Sequence, residues 1–414
     1  MRAKISEEAV QRYYFDHNAT TPVSPEVLEA MMPLMTDVYG NASSIHHFGQ
    51  RARQALDQAR RNVATLLGAI PEEIVFTSGG TEADNLALFG IARDGHAITT
   101  TVEHPAVLSA ASQLGSVTLV PVDGRGVVDP EAILKAIRKD TRLISVMHAN
   151  NELGVIQPVE EIAKIARDAG VAFHSDGVQA AGKVPVNVPK LGAQLYSISG
   201  HKFYGPKGVG ALYVKKGMAL RALVYGGHQE RDRRAGTENV AGAVGLGRAA
   251  QWIVEYGSDE RTRVEGLRDR LEQGILDRVP DSYVNGAGAK RVPNTSNVRF
   301  DGIDTEPLLI ALDLKGFAVS SGSACSSGAA EPSHVLKAIG LMAEQARSSL
   351  RFSLGRSNTV EQVDALIDAV VESVARLRKL APVYVSSITR RTSQTRHAEV
   401  SDAESMPSAP GAVR

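Results

Sequence analysis

Two hydrophobic rhythms alternate along most of the chain. Ala52, Ala55, Leu56, Ala59, Val63, Leu66 and Leu67 share one face of a helix predicted over residues 49–67, and Gly68 suits its left-handed terminus. Short β-branched and aromatic runs predict strands at residues 73–76, 96–101, 141–148, 171–175, 194–199 and 209–214. Helical patterns fall between them, at residues 81–91 and at 159–169, the second closed by Gly170. Upstream, residues 13–16 read as a short strand. Ser24-Pro25-Glu26 reads as a helix start, with a cap, a proline at the first helical position and an acidic first turn. This βαβ alternation predicts an α/β fold with a large, mostly parallel sheet covered on both faces.

After about residue 256 the texture changes. A charged helix is expected over 259–276, an extended run near 297–300, and helices over 305–314 and 333–339. Thr359-x-x-Gln362 is a capping-box start, and an apolar stripe from Val363 to Leu377 follows it. These elements predict a smaller α+β domain. The expected division is a large domain over 13–257 and a small one over 258–385, joined by an N-terminal arm, 1–12. Residues 386–414 lose the apolar pattern and read as a disordered tail.

Composition narrows the function. The 46 basic and 46 acidic residues balance, so no nucleic-acid or membrane partner is expected. No apolar run approaches the roughly 18 residues of a membrane span, and the first twelve residues lack a signal-like core, so a cytoplasmic location is expected. One cysteine, Cys325, makes neither an intrachain disulfide nor a cysteine-based zinc site, and no metal is expected.

The polar residues Thr81, His104, Asn151, Asp176 and Lys202 all follow predicted strands, so they converge on the carboxyl edge of one sheet. Lys202 lies in Ser199-Gly200-His201-Lys202-Phe203-Tyr204-Gly205-Pro206, just past a strand end where small residues let a ligand come close. It is either a solvated loop lysine or a lysine that forms a Schiff base with a carbonyl cofactor. Thr77-Ser78-Gly79-Gly80-Thr81-Glu82 joins a strand to a helix and is either a tight turn or a phosphate cradle. No Walker or G-x-G-x-x-G motif is present. Asp176 lies one strand–crossover–strand unit before Lys202. The pairing suits pyridoxal phosphate, the lysine holding the aldehyde and the carboxylate keeping the pyridine nitrogen protonated. His104 could stack on the ring or be a loop histidine; Gln179 and Asn151 could bind a ring oxygen or be ordinary loop amides. Cys325 stands in a run of serine, glycine and alanine, and is either an accessible, reactive thiol on a mobile loop or a cysteine tucked under a turn. Arg351 could clamp a substrate carboxylate or form an ion pair.

The stretches 14–21, 77–82, 148–154, 174–179, 199–205, 234–238 and 321–325 together resemble the cysteine desulfurases. They are most similar to the NifS/IscS type, within the class V aminotransferase group of fold-type I pyridoxal phosphate enzymes. The resemblance covers about residues 13–382. Ser321-Gly322-Ser323-Ala324-Cys325 followed by Glu331-Pro332-Ser333-His334 sets it apart from the SufS-like branch. His17 stands where the family often has asparagine, and the tail has no evident counterpart. The resemblance implies that Lys202 carries pyridoxal 5′-phosphate and later acts as base. It implies Asp176 at the ring nitrogen, Gln179 at the ring oxygen, and His104 stacked on the ring and aiding proton transfer. Gly80, Thr81, Ser199 and His201 would hold the phosphate, with Thr237 reaching over from the other subunit of a homodimer. Asn151 and Arg351 would orient the substrate. L-cysteine would become L-alanine, its sulfur left on Cys325 as a persulfide for an acceptor such as an iron–sulfur scaffold or a thiolation protein. Two alternatives are another class V enzyme, such as a selenocysteine lyase or an aminotransferase, and a non-catalytic sulfur-carrier platform.

Overall fold

The computed structural model describes residues 11–321 and 332–380. Cys325, most of the expected N-terminal arm and the expected tail 386–414 lie outside the described residues. β1 (Tyr13–Tyr14) opens the chain. β2 (Ile74–Thr77), β3 (His96–Thr100), β4 (Ser116–Val120), β5 (Thr141–Ser145), β6 (Ala172–Asp176), β7 (Leu195–Ser199) and β8 (Gly210–Val214) form a seven-stranded sheet, ordered β2-β8-β7-β6-β5-β3-β4. β8 runs antiparallel to both neighbours; every other pairing is parallel. Two antiparallel steps across β8 leave β2 pointing the same way as β7. The carboxyl ends of β2, β3, β5, β6 and β7 therefore share one edge, which is where this architecture binds ligands.

The interior strands are buried along nearly their whole length, as expected of a sheet with helices on both faces. β4 escaped the sequence reading: it is one of the two edge strands, Leu119 is 51% exposed and residues 116–118 are only half-buried, which dilutes the apolar run. The short helices Pro105–Ala111 and Pro130–Ala136 were missed as well.

The largest correction concerns the helix expected over 259–276. It is one 39-residue helix, Val240–Arg278, and passes through the expected domain boundary. Gly242, Gly245 and Gly247 lower the helix propensity of its first half. In the fold two of them permit contact. A Cβ on Gly247 would lie 2.6 Å from Ala59 Cα in the helix His47–Leu67, and one on Gly245 would lie 2.6 Å from Met31 Sδ.

β9 (Ser282–Val284), β10 (Thr295–Phe300) and β12 (Ser349–Ser353) form a second, antiparallel sheet ordered β12-β10-β9, while β11 (Phe317–Ala318) pairs with β1. The helices Thr305–Leu314 and Val360–Leu380 pack here. One core gathers Leu56, Phe76, Ile98, Phe173 and Ile253; the other gathers Phe15, Leu271, Phe300, Phe352 and Val370. The long helix feeds both. The bridge Asp16–Ser353 fastens the segment after β1 against β12, which carries residues 16–21 across the edge of the large sheet, and Ser320–Arg351 ties the segment after β11 to the same strand. No described helix is long and apolar enough to cross a membrane.

Candidate active site

Lys202 closes a single helical turn, Gly200–Lys202, at the carboxyl end of β7. Its Nζ donates to the backbone oxygens of Asn18 (2.7 Å) and Ala19 (2.9 Å). Asp176 ends the adjacent β6 and is 5% exposed. Its Oδ1 accepts from the Val178 N–H at 2.9 Å. Burial lifts the Asp176 carboxyl to about 6, against the pull of the Val178 N–H and the Lys202 charge. Gly177 permits the turn that follows, since a Cβ there would fall 2.0 Å from the ring of Tyr196.

Around Asp176 the protein supplies acid and little balancing charge. Asp84 and Glu103 are buried and their carboxyls are raised, by burial first and by the Asp176 charge as a further cause; Glu103 reaches about 8. The nearest base to Asp84 is His174, with Nε2 3.6 Å from Oδ1, and burial holds that imidazole neutral, near 3. Such a cluster is suited to a cationic ring nitrogen placed against Asp176.

His104 caps the helix Pro105–Ala111: its Nδ1 accepts from the Ala106 N–H at 3.1 Å, which leaves the ring proton on Nε2. Burial, then the charges of Lys202 and His334, push its pKa down to about 4. His334 is in turn tied to the backbone oxygen of Glu103 at 2.9 Å. His201 bonds Thr20 Oγ1 at 3.1 Å, and burial together with nearby lysines lowers it to about 4.

Gly79 and Gly80 carry β2 into the helix Gly80–Ala92. At Gly79, with φ of 159°, a Cβ would face open space, with Ser199 Oγ at 4.0 Å its only neighbour. At Gly80 it would strike Val178 at 2.7 Å and approach Ser199 at 3.5 Å. The loop therefore lies against Ser199 and beside the turn after Asp176, with room above it at a helix N-terminus, where an anion is favoured. The residues present fit an aldehyde cofactor with a cationic ring and a phosphate.

Asn18 ties the site together, and the sequence reading gave it no role. Its backbone oxygen accepts from Lys202 and from Gln179 Nε2 (3.0 Å), and its Oδ1 accepts from Lys183 Nζ (2.7 Å) and Asn294 Nδ2 (3.1 Å). Its Nδ2 donates to the Asn151 backbone oxygen (3.1 Å) and to Thr295 Oγ1 (2.9 Å). That Asn151 oxygen also accepts from Arg351 Nη1 at 3.0 Å. Arg351 does form an ion pair, with Asp16 Oδ1 at 2.7 Å, but a buried one rather than a surface one, being 2% exposed. The only signal for Asn18 in the sequence was its place in residues 14–21.

Lys202, Asp176, Gln179, Asn151 and Arg351 are thus gathered directly or through Asn18, with His104, His201 and Ser199 beside them. Thr237 is not with them. It is exposed and lines a separate cleft of about 670 Å3 with Thr77, Ser78 and Arg234.

The aminotransferase class-V family matches residues 13–366. The chain is 48% identical over 378 residues to the cysteine desulfurase IscS of Dictyoglomus turgidum, a match covering 89% of this chain and 96% of that protein. Among solved structures, a NifS-like protein superposes with a TM-score of 0.83 at 39% identity, covering 89% of this chain and all of its own. SspA, solved in complex with cysteine, superposes with a TM-score of 0.74 at 36% identity, covering 84% of this chain and 99% of its own.

Proposed function

The chain belongs to the class V aminotransferase family, among cysteine desulfurases of the IscS and NifS-like kind, and we propose that the cluster around Lys202 is its active site. It is a pyridoxal 5′-phosphate enzyme acting on L-cysteine, with L-alanine as product and sulfur passed toward iron–sulfur cluster assembly. Lys202 would hold the cofactor through Nζ, Asp176 would face its ring nitrogen, Gln179 its ring oxygen, and His104 would lie over the ring. Gly80, Thr81, Ser199 and His201 would cradle the phosphate, with Thr237 arriving from a second subunit. Bound there, the cofactor supplies an electron sink for charge left at the substrate α-carbon.

The protein's own groups do the rest. Arg351 and Asn151 orient the substrate carboxylate; Arg351 Nε is buried with no partner of its own, so it has a donor to give. Lys202 Nζ, as unprotonated amine, takes the α-proton. His104, neutral with its ring proton on Nε2, has a hydrogen bond to give there. The Cys325 thiolate attacks the substrate sulfur. An S–S bond forms, the Cβ–S bond breaks, and its electron pair stays with the carbon, which is protonated to the alanine methyl. Cys325 takes this part as the chain's single thiol.

A homodimer is supported by an apolar strip left open on one chain: Leu28, Met32, Met35, Tyr39 and Ile45 are all more than half exposed, Ile45 at 91%. The two cores support a division near residue 257, with Phe15 joining the smaller part, 258–385. A lone cysteine supports a reducing, cytoplasmic setting. A scaffold protein is the fitting sulfur acceptor.

The observation that carries the reading is Lys202 and buried Asp176 side by side at the ligand-binding edge. Alanine release from cysteine in the presence of a reductant tests it. Lys202→Ala should lose the cofactor's visible absorbance. A Cys325→Ser variant releasing alanine at the normal rate would overturn the part given to the thiol, and would point to another class V activity.

A further inference from the structure

We propose that Lys183 is a positioning residue: it fixes the side-chain amide of Gln179 so that the NH2 end, not the carbonyl, is turned toward the cofactor's ring oxygen. The inference rests on the reading of Gln179 given above.

A glutamine amide has nearly the same shape when flipped, but its two ends have opposite hydrogen-bonding character. Something must choose between them. Lys183 Nζ donates to Gln179 Oε1 and, at 2.7 Å, to Asn18 Oδ1. The oxygen end is thereby taken. Gln179 Nε2 spends one hydrogen on the Asn18 backbone oxygen at 3.0 Å, the same atom that accepts from Lys202 Nζ at 2.7 Å. One N–H remains to give. Flipping the amide would set its carbonyl against the Asn18 backbone oxygen, a repulsive contact, and would give up the bond that Lys183 donates to Oε1. Asn18 cannot relax to accommodate this, because Asn294, Asn151 and Thr295 fix its own orientation.

The local chain places Lys183 for this task. The amides of Ala180 and Ala181 bond to the Gly177 oxygen and that of Val184 to the Ala180 oxygen, so residues 179 and 183 stack one helical turn apart. Lys183 is 8% exposed. Burial first, then the charges of Lys202 and Arg351, push its amine well below the usual lysine range. The other titratable groups it faces, His17 and His201, are both lowered to about 4 and are neutral near pH 7. As ammonium or as amine, Lys183 has hydrogens for both acceptors, so it can orient Gln179 in either state.

A donor at the ring oxygen stabilises its anion and lowers the pH at which the bound cofactor's visible band titrates. A carbonyl there does the reverse. Spectrophotometric titration of holoenzyme carrying Lys183→Met, Gln179→Leu, and both substitutions reads this directly. Lys183→Met should raise the midpoint by about one pH unit, a charge-assisted hydrogen bond's worth. Gln179→Leu should do likewise, and the double variant should shift no further than Gln179→Leu alone. Lys183→Arg, which keeps a donor, should bring the midpoint back to the wild-type value or below it, since a permanent cation adds to the donor's effect. Lys183→Leu replaces the methionine variant if that one does not fold. A shifted Gln179→Leu beside an unshifted Lys183→Met, or shifts that add in full, overturns the role of Lys183 alone. A Gln179→Leu midpoint equal to wild type overturns the reading of Gln179, and Lys183 falls with it.

Discussion

Arg351 reaches Asp16 with Nη2 2.7 Å from Oδ1, and both side chains are largely shielded from water. With Nη1 on the Asn151 oxygen, two corners of the guanidinium plane are fixed and Nε is left over. A planar fork can serve three acceptors in set directions; an ammonium cannot. Arg351→Lys should therefore raise KM for cysteine about tenfold or more, the loss of one charge-assisted hydrogen bond or slightly more, with a smaller change in kcat. Steady-state alanine formation separates the two. An unchanged KM would remove Arg351 from carboxylate binding.

Gly177 stands between Asp176 and the turn that carries Gln179. A methyl group there would overlap the Tyr196 ring at 2.0 Å, and that ring is wholly buried, its hydroxyl bonded to His148 Nδ1 at 2.8 Å. Gly177→Ala must move either the ring or Asp176. The expected loss is about 1–3 kcal/mol of stability or more, as for overpacking in general. Cofactor retention after gel filtration should fall with it. A variant that unfolds at the wild-type temperature and stays fully loaded would show that the turn yields at no cost.

Five imidazoles, three buried and two half-buried, make the fold sensitive to acid. His174 is held near 3, and His17, His104, His148 and His201 near 4, in every case chiefly by burial. Each folded pKa lies below its unfolded value of about 6.5, so the unfolded chain binds protons that the native state refuses. Stability is then lost as pH falls from about 6.5 toward 4, by roughly 1.4 kcal/mol per pH unit for each such group. Four carboxyls raised chiefly by burial oppose this: Asp176 at about 6, Glu103 at about 8, and Asp84 and Glu152. They favour the native state at low pH and lose that effect as pH rises. His96, also lowered by burial, makes six imidazoles against these four, so the midpoint of urea unfolding should drop between pH 6.5 and 5. His174→Gln, keeping polar contact with Ser145 and Ser197, should flatten that slope by about one proton.

How much of this was legible beforehand follows from range. His104, Asn151, Asp176 and Lys202 could be placed on one edge because each follows a strand in a repeating pattern, and a parallel sheet aligns such positions. The link from Gln179 and Lys183 to Asn18 could not, since it spans 161 and 165 residues and has no local signature. Nor could the pairing of Arg351 with Asp16, 335 residues apart. Local pattern also misled where packing overrode it. Leu119 at the sheet edge weakened a real strand, and Gly242, Gly245 and Gly247 hid the first half of a long helix.

That helix offers a test in which propensity and packing point in opposite directions. Replacing glycine by alanine inside a helix normally stabilises by about 0.5–1 kcal/mol. Gly266 lies in Val240–Arg278 with nothing within 4 Å of where a Cβ would stand, so Gly266→Ala should raise stability by about that amount. Gly247 lies in the same helix, but its Cβ would sit 2.6 Å from Ala59 Cα and 2.9 Å from Ala59 O. Those are atoms of a neighbouring helix backbone, which cannot swing aside as a side chain can. Gly247→Ala should therefore cost about 1–3 kcal/mol despite the better propensity. Because the two sites share a helix and a chemistry, the sign difference isolates the contact between Val240–Arg278 and His47–Leu67. Thermal unfolding of the pair measures it, and two stabilising substitutions would show that the helices can move apart without loss.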